Sequence, residues 1–235
     1  MLENQMVSVS LDVDWAPDYI LEDVIGLLSK YNIPSTWFVT HSSSIWNELR
    51  KSPKDFELGI HPNFLPNSSQ GKSITEIVDY LMGIIPEAKI FRTHGFFQYG
   101  TLLADLQKLT NINIDSSIFL PEIDHIQPIN HLTPNGILKR VPVYWADDYE
   151  LLKPKISSSF ITNIQNPGLK VFNFHPIHIY LNSPSFAFYE TVKQQNYSQN
   201  LSSYSGFGIR NIFIELLEFL NRKRSIISSL GKIRS

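Results

Sequence analysis

Seven short apolar runs, rich in β-branched and aromatic residues and each ending in polar or ionisable ones, constrain the fold of this chain more than any other feature. Met6–Leu11 leads to Asp12 and Asp14, Ser35–Thr40 to His41, and Phe56–Ile60 to His61. Ala88–Phe91 leads to Arg92 and His94, and Ile112–Ile114 to Asp115 and Ser116. Arg140–Trp145 leads to Asp147 and Asp148, and Leu169–Phe174 to His175 and His178. Helical periodicity lies between several of them. Ile20–Tyr31 repeats Ile20, Val24, Leu27 and Leu28, with Asp18 placed to cap it and Pro34 beyond its end. Thr75–Ile85, Leu102–Leu109 and a closing Ile209–Asn221 read the same way. Strands alternating with helices predict an α/β fold around a parallel sheet, with the chemistry in the loops after the strands' C-terminal ends. Ser183–Ser205, rich in Ser, Asn, Tyr and Gln, is expected to be a long surface loop and a candidate lid.

Composition narrows the function classes. A length of 235 residues, 43% of them hydrophobic, suits one domain over residues 1–235 with a sizeable core. The net charge of −2 offers no basic surface for nucleic acid or an anionic membrane. No apolar stretch approaches the roughly 20 residues of a membrane span. The opening MLENQMVSVSLDV has no basic region followed by a long apolar run, so the expectation is a cytoplasmic protein. The absence of cysteine excludes disulfides, thiolate metal sites and thiol nucleophiles. Any metal is then held by nitrogen and oxygen.

The candidate chemistry sits at the run ends. Asp12 and Asp14, two apart, project two carboxylates from one strand end, an arrangement that asks for a cation or donors between them. His61 ends another run, and a histidine nitrogen with carboxylate oxygens forms a ligand set for a cysteine-free catalytic zinc. His175 and His178 are three apart, one suited to general acid work and the other to ligation or orientation. Arg92 beside an acid cluster can hold a carboxylate in place. Asp115, Asp147, Asp148 and His41 read better as cap or rim residues than as catalysts.

These residues, in this order, resemble the polysaccharide deacetylase, or NodB-homology, superfamily over roughly residues 6–182. Leu11-Asp12-Val13-Asp14 resembles the first motif, with one acid as base and the next as metal ligand. Tyr31–Thr40 is similar to the stretch that follows it. Glu57–His61 resembles the second motif, which begins with a metal-binding His, and Phe91–Gly95 the third, whose Arg contacts the base. Ile114–Pro121 is similar to a stretch in several branches, and Phe174-His175-Pro176 to the final motif, whose His protonates the leaving group. The resemblance implies a distorted seven-stranded (β/α) barrel and a hydrolase that removes an N-acetyl or other acyl group from a sugar of a surface polysaccharide or its precursor. It implies Asp12, Arg92 and His175 as catalytic residues, and a divalent metal, most simply Zn²⁺, on Asp14 and His61. Two departures stand out. Val13 separates the two acids, and Leu65 occupies the place of a second metal-binding His. His178 is the favoured substitute, with Asn63 and His94 as others. The expected partner is an acylated sugar or oligosaccharide, on which Trp15 and Trp145 are placed to stack unless they pack in the core. The alternatives are a catalytically inactive barrel that binds carbohydrate or a protein, and a metal amidase or deformylase acting on a non-polymer substrate.

Overall fold

Nine strands form one mixed sheet in the computed structural model of the protein, which describes residues 5–194, 201–223 and 226–233. Strand β1 (Met6–Asp12) lies between β2 (Ser35–Val39) and β9 (Leu169–Phe174), parallel to both. The sheet continues from β2 through β3 (Phe56–Ile60), β4 (Ile90–Phe91) and β5 (Ile114–Asp115), all parallel. It ends in an antiparallel hairpin, β6 (Ile129–Thr133) and β7 (Gly136–Arg140), with β7 parallel to β5. On the other side β9 is followed by β8 (Trp145–Ala146). Both faces of the inner strands are covered; every residue of β1 after Met6 is buried, Ser8 and Ser10 included.

Backbone bonds outside the strands curl this sheet. Phe119 and Val143 form a parallel bridge, Leu120 N donates to Val143 O, and Tyr144 N donates to Val171 O of β9. The β5 side is thereby drawn round towards β9. Gly59 permits close approach of β3 and β4, since a Cβ at this position would lie 2.7 Å from the Ile90 carbonyl oxygen.

Helices cover the outer face. α1 (Asp18–Tyr31) buries Ile20, Leu21, Val24 and Leu28, and ends where Asn32 adopts a left-handed conformation. Pro17 is its N-cap, so Asp18 stands in the first turn, where its charge suits the helix dipole. α2 (Ile45–Leu49) follows β2, and α3 (Ile74–Ile84) follows β3 with Ser73 accepting the Glu76 N–H as its cap. α4 (Leu102–Leu109) precedes β5, and the short α5 (Asp147–Glu150) follows β8. α6 (Pro176–Leu181) and α7 (Phe186–Lys193) follow β9, and α8 (Ile209–Asn221) packs Phe213 edge-on against Phe174. Residues 226–233 run across the N-terminal ends of the strands: Ile227 bridges to Val7, and Gly231 N donates to the Glu57 carboxylate. The C-terminal ends, where the ionisable residues sit, remain open.

The structure departs from the sequence reading at three places. The seven expected strands are nine, because β6 is added and Arg140–Trp145 is divided: Arg140 closes β7, Pro142 supplies no N–H, and β8 begins at Trp145. The β6–β7 hairpin turns at Pro134-Asn135-Gly136, with Gly136 at φ +119, and its exposed strand lacks the apolar alternation that would have announced it. The expected loop Ser183–Ser205 contains α7, capped by Ser185, while its residues 195–200 lie outside the described ones. Among the described residues no helix is long and apolar enough to cross a membrane.

Candidate active site

Positions 10 and 12 of β1 face the inside of the curl and carry polar side chains into it. Asp12 is buried there against Arg92, which is wholly inaccessible and follows β4. Arg92 Nη1 donates to Asp12 Oδ1 at 2.8 Å and to Ser10 Oγ at 3.0 Å. Arg92 Nε and Nη2 donate to the Ser116 carbonyl and hydroxyl, and the guanidinium lies 4.2 Å from the centre of the Phe38 ring. Asn173 of β9 donates to Asp12 Oδ2 at 2.8 Å. Burial alone would raise the Asp12 pKa. Arg92, with His61 and His175, outweighs it and holds the carboxyl below the usual range. Burial pulls the Arg92 pKa down from its ordinary value, and Asp12 opposes that. Asn173 carries no motif signal in the sequence beyond its position two residues before His175.

Asp14 reaches the same region by a turn. β1 ends at Asp12, and Asp14 has φ +48, a left-handed conformation that aspartate tolerates. Its carbonyl accepts from Thr40 Oγ1 and lies 3.2 Å from His41 Nδ1, so the end of β2 fixes it. Asp14 Oδ1 stands 3.4 Å from His61 Nε2 and 3.1 Å from His94 Nδ1, and those two nitrogens are 3.3 Å apart. Burial works against the Asp14 charge, but the hydrogen bonds from His61 and His94 and the charge of His175 hold its pKa well below the usual value. The hydrogen bond to Asp14 raises the His94 pKa. His61 is buried, and its Nδ1 has no hydrogen-bond partner, lying 4.0 Å from Asp12 Oδ1. Gln70 fixes the backbone beneath it: Nε2 donates to the carbonyls of His61 and Thr40, and Oε1 accepts from Asn63 N.

The set Asp14, His61 and His94 fits a small divalent cation. Zinc bonds of about 2.0–2.1 Å in a tetrahedron put neighbouring donor atoms about 3.3–3.4 Å apart. The three separations here are 3.1, 3.3 and 3.4 Å. His94, not His178, completes this set. His178 is buried behind Tyr189, with ring centres 4.5 Å apart, and its Nδ1 faces Ser183 Oγ at 3.3 Å. Burial, then the charge of His175, depress its pKa well below the ordinary value. The departure arises because α6 starts at Pro176 and turns His178 away from the β3–β4 side. Leu65 is exposed, and Asn63 uses its Oδ1 to accept from Leu65 N.

His175 caps β9 and is oriented by Asp147, which the sequence had suggested as a rim residue. Asp147 is fully buried at the start of α5; Oδ1 is 2.6 Å from His175 Nδ1, and Oδ2 accepts the His175 backbone N–H at 2.7 Å. His175 Nε2 is left 3.8 Å from Asp14 Oδ2. Burial pushes the Asp147 pKa up to about 6, with His175 opposing it. For His175, burial disfavours the charge, but Asp147 raises its pKa well above the usual value, favouring the imidazolium. The position of Asp147 directly after the Arg140–Trp145 run was the available signal, and the Asp-Asp pair at 147–148 obscured it. Asp115 accepts from Ser117 N and Arg140 Nε, and Asp148 caps Tyr149 N. Trp145 is core, tilted against Phe160 and Phe174, whereas Trp15 lines the open cleft with Asp14, His61, His94 and Tyr189.

Comparison with known proteins places the chain in a family. Residues 9–193 match the WbmS-like polysaccharide deacetylase family. The chain is similar to WbmS of Bordetella bronchiseptica, a protein involved in O-antigen biosynthesis: 30% identity, 92% of this chain and 91% of that one covered, TM-score 0.81. The Bc1960 peptidoglycan N-acetylglucosamine deacetylase, at 14% identity and TM-score 0.50, covers 99% of this chain and 89% of its own. The peptidoglycan deacetylase PdaC of Bacillus subtilis, at 10% identity and TM-score 0.51, covers 98% and 90%. These two show the shared fold. No curated protein sequence matches. The chain therefore belongs to the WbmS-like polysaccharide deacetylases, within the NodB-homology superfamily.

Proposed function

We propose that this protein is a metal-dependent deacetylase that removes an N-acetyl or other acyl group from an amino sugar of a surface polysaccharide or its precursor. The observation that carries the reading is the meeting of three donors from different loops, Asp14, His61 and His94, beside a buried Asp12–Arg92 pair and an Asp147–His175 pair. The O-antigen connection of WbmS supports the substrate class.

Asp14, His61 and His94 would hold the cation, and zinc suits two imidazoles and a carboxylate without thiolate. Bound there, a divalent ion supplies Lewis-acid polarisation of a carbonyl oxygen and acidifies water, to a pKa of about 7 in zinc enzymes. The chain's own groups manage the protons. Asp12 accepts the proton of the attacking water, and its charge is secured by Arg92 and Asn173. Arg92 fixes the direction of that carboxylate through bonds to Ser10 and Ser116. His175 gives a proton from Nε2 to the departing amine as the amide C–N bond breaks. Asp147 holds Nδ1–H, so the imidazolium is kept charged and aimed. The products are a free amine and a carboxylate.

The test is release of acetate from N-acetylated sugars by purified protein reconstituted with zinc or cobalt. Asp14→Asn and His175→Gln are each expected to lower kcat by about a hundredfold or more. Undiminished turnover in either variant would refute the roles assigned.

A further inference from the structure

A lysine closes one side of the catalytic cleft, and nothing in the proposed reaction uses it. Lys193, the last residue of α7, lines the same cleft as Asp14, His61, Asn63 and Trp15. Its stem lies along Tyr189, with Nζ 5.5 Å from the centre of the ring. Tyr189 is itself fixed, accepting from Trp15 Nε1 at 3.1 Å and packing on His178. Among the described residues the ion-pair partner of Lys193 is Glu190, one helical turn away at 3.9 Å, with both side chains nearly half exposed. A pair of that kind contributes little and leaves the ammonium available. The carboxylate in the cleft wall, Asp14, is engaged by His61 and His94. The ammonium also sits close enough to the buried site to add to the depression of the His178 pKa, after burial and His175.

A cation in a cleft with poorly polarisable walls concentrates anions there. A neutral N-acetyl sugar offers Lys193 only uncharged oxygen acceptors. A sugar bearing a carboxylate or phosphate offers a charge-assisted hydrogen bond. We propose that Lys193 is a specificity-determining residue, selecting acylated sugars that carry an anionic group: a carboxylate on the ring or a phosphate on the anomeric oxygen. This rests on the cleft being the substrate site proposed above.

The experiment uses the full chain loaded with zinc, as wild type, Lys193→Met and Lys193→Arg. Methionine keeps the apolar stem over Tyr189 and removes the charge. Binding of N-acetylglucosamine, N-acetylglucosaminuronic acid and N-acetylglucosamine 1-phosphate is measured by calorimetry, and acetate release is followed in parallel. For wild type, at least one anionic sugar is expected to bind about tenfold more tightly than the neutral one. Lys193→Met should erase that advantage while leaving the neutral sugar within about twofold, and Lys193→Arg should restore it. The advantage should shrink at about 0.5 M salt, where charges are screened over a few ångströms. Which anionic sugar gains identifies the source of the charge. The proposal is overturned if no anionic sugar binds more tightly than the neutral one, or if Lys193→Met weakens all three sugars equally or none of them. Failure of the deacetylase reading shows separately, as anion-selective binding with no acetate released.

Discussion

Replacing Arg92 by methionine removes the counter-charge of Asp12 and leaves the carboxylate buried. Arg92 has no solvent exposure, and its bond to Asp12 Oδ1 is 2.8 Å long. Breaking a buried pair by removing one partner costs about 3–5 kcal/mol, since the remaining charge keeps its desolvation penalty. The lost bonds to Ser116 and Ser10 act in the same direction. With a urea m-value near about 3 kcal/mol/M, the unfolding midpoint at pH 7 should fall by about 1–1.7 M. The deficit should also depend on pH. In the wild type the folded pKa of Asp12 is depressed, so its contribution is present above the unfolded value of 3.8 and is lost as pH falls through the folded value. In the variant, burial acts without Arg92 and the folded pKa rises above the unfolded one. Asp12 then takes up a proton as pH drops from 7, and the variant's deficit narrows. Urea titrations at pH 7 and pH 5, with Asp12→Asn in the Arg92→Met background, give the comparison. The double variant should recover about 2 kcal/mol at pH 7. A pH-independent loss below about 1 kcal/mol would refute the pairing.

Three further outcomes follow from other contacts. Asp147→Asn removes the anion that raises the His175 pKa, so proton donation by His175 should fail at lower pH; the alkaline limb of the kcat profile moves towards acid, and an unmoved limb contradicts the pairing. Gln70→Ala frees the backbone under His61 and should weaken zinc binding about tenfold in a competition titration with a chromogenic chelator; unchanged affinity would show that Gln70 does not position the ligand. Gly59→Ala forces a Cβ to within 2.7 Å of the Ile90 carbonyl and should lower stability by about 1–3 kcal/mol in urea unfolding, whereas a stability equal to wild type would mean that β4 can shift.

Most of the framework was legible because buried parallel strands are written as short runs rich in β-branched and aromatic residues, and the residue after each run marks the open end of the sheet. Met6–Leu11 and Leu169–Phe174 became β1 and β9 on that basis, and Asp12 and His175 fell at their ends. The β6–β7 hairpin was not legible, since Ile129, Leu132 and Ile137 are exposed on an edge and no buried face imposes a period. Within the site, the Asp12–Arg92 contact follows from motif order, but the ligand set does not. Whether His94 or His178 meets His61 depends on the turns after β4 and β9. Gly95 at φ +61 keeps the chain after Thr93 in a tight turn beside Pro62, whereas α6 carries His178 behind Tyr189. Asp147 was missed for a related reason: whether an acid at a strand end is exposed or enclosed is decided by how α5 packs on β9.

Zinc affinity measured in His94→Ala and His178→Ala tests the central claim most directly. With Asp14, His61 and His94 as the ligand set, His94→Ala should weaken binding by about a hundredfold or more, while His178→Ala stays within about threefold of wild type. Retained affinity in His94→Ala together with a large loss in His178→Ala would contradict it.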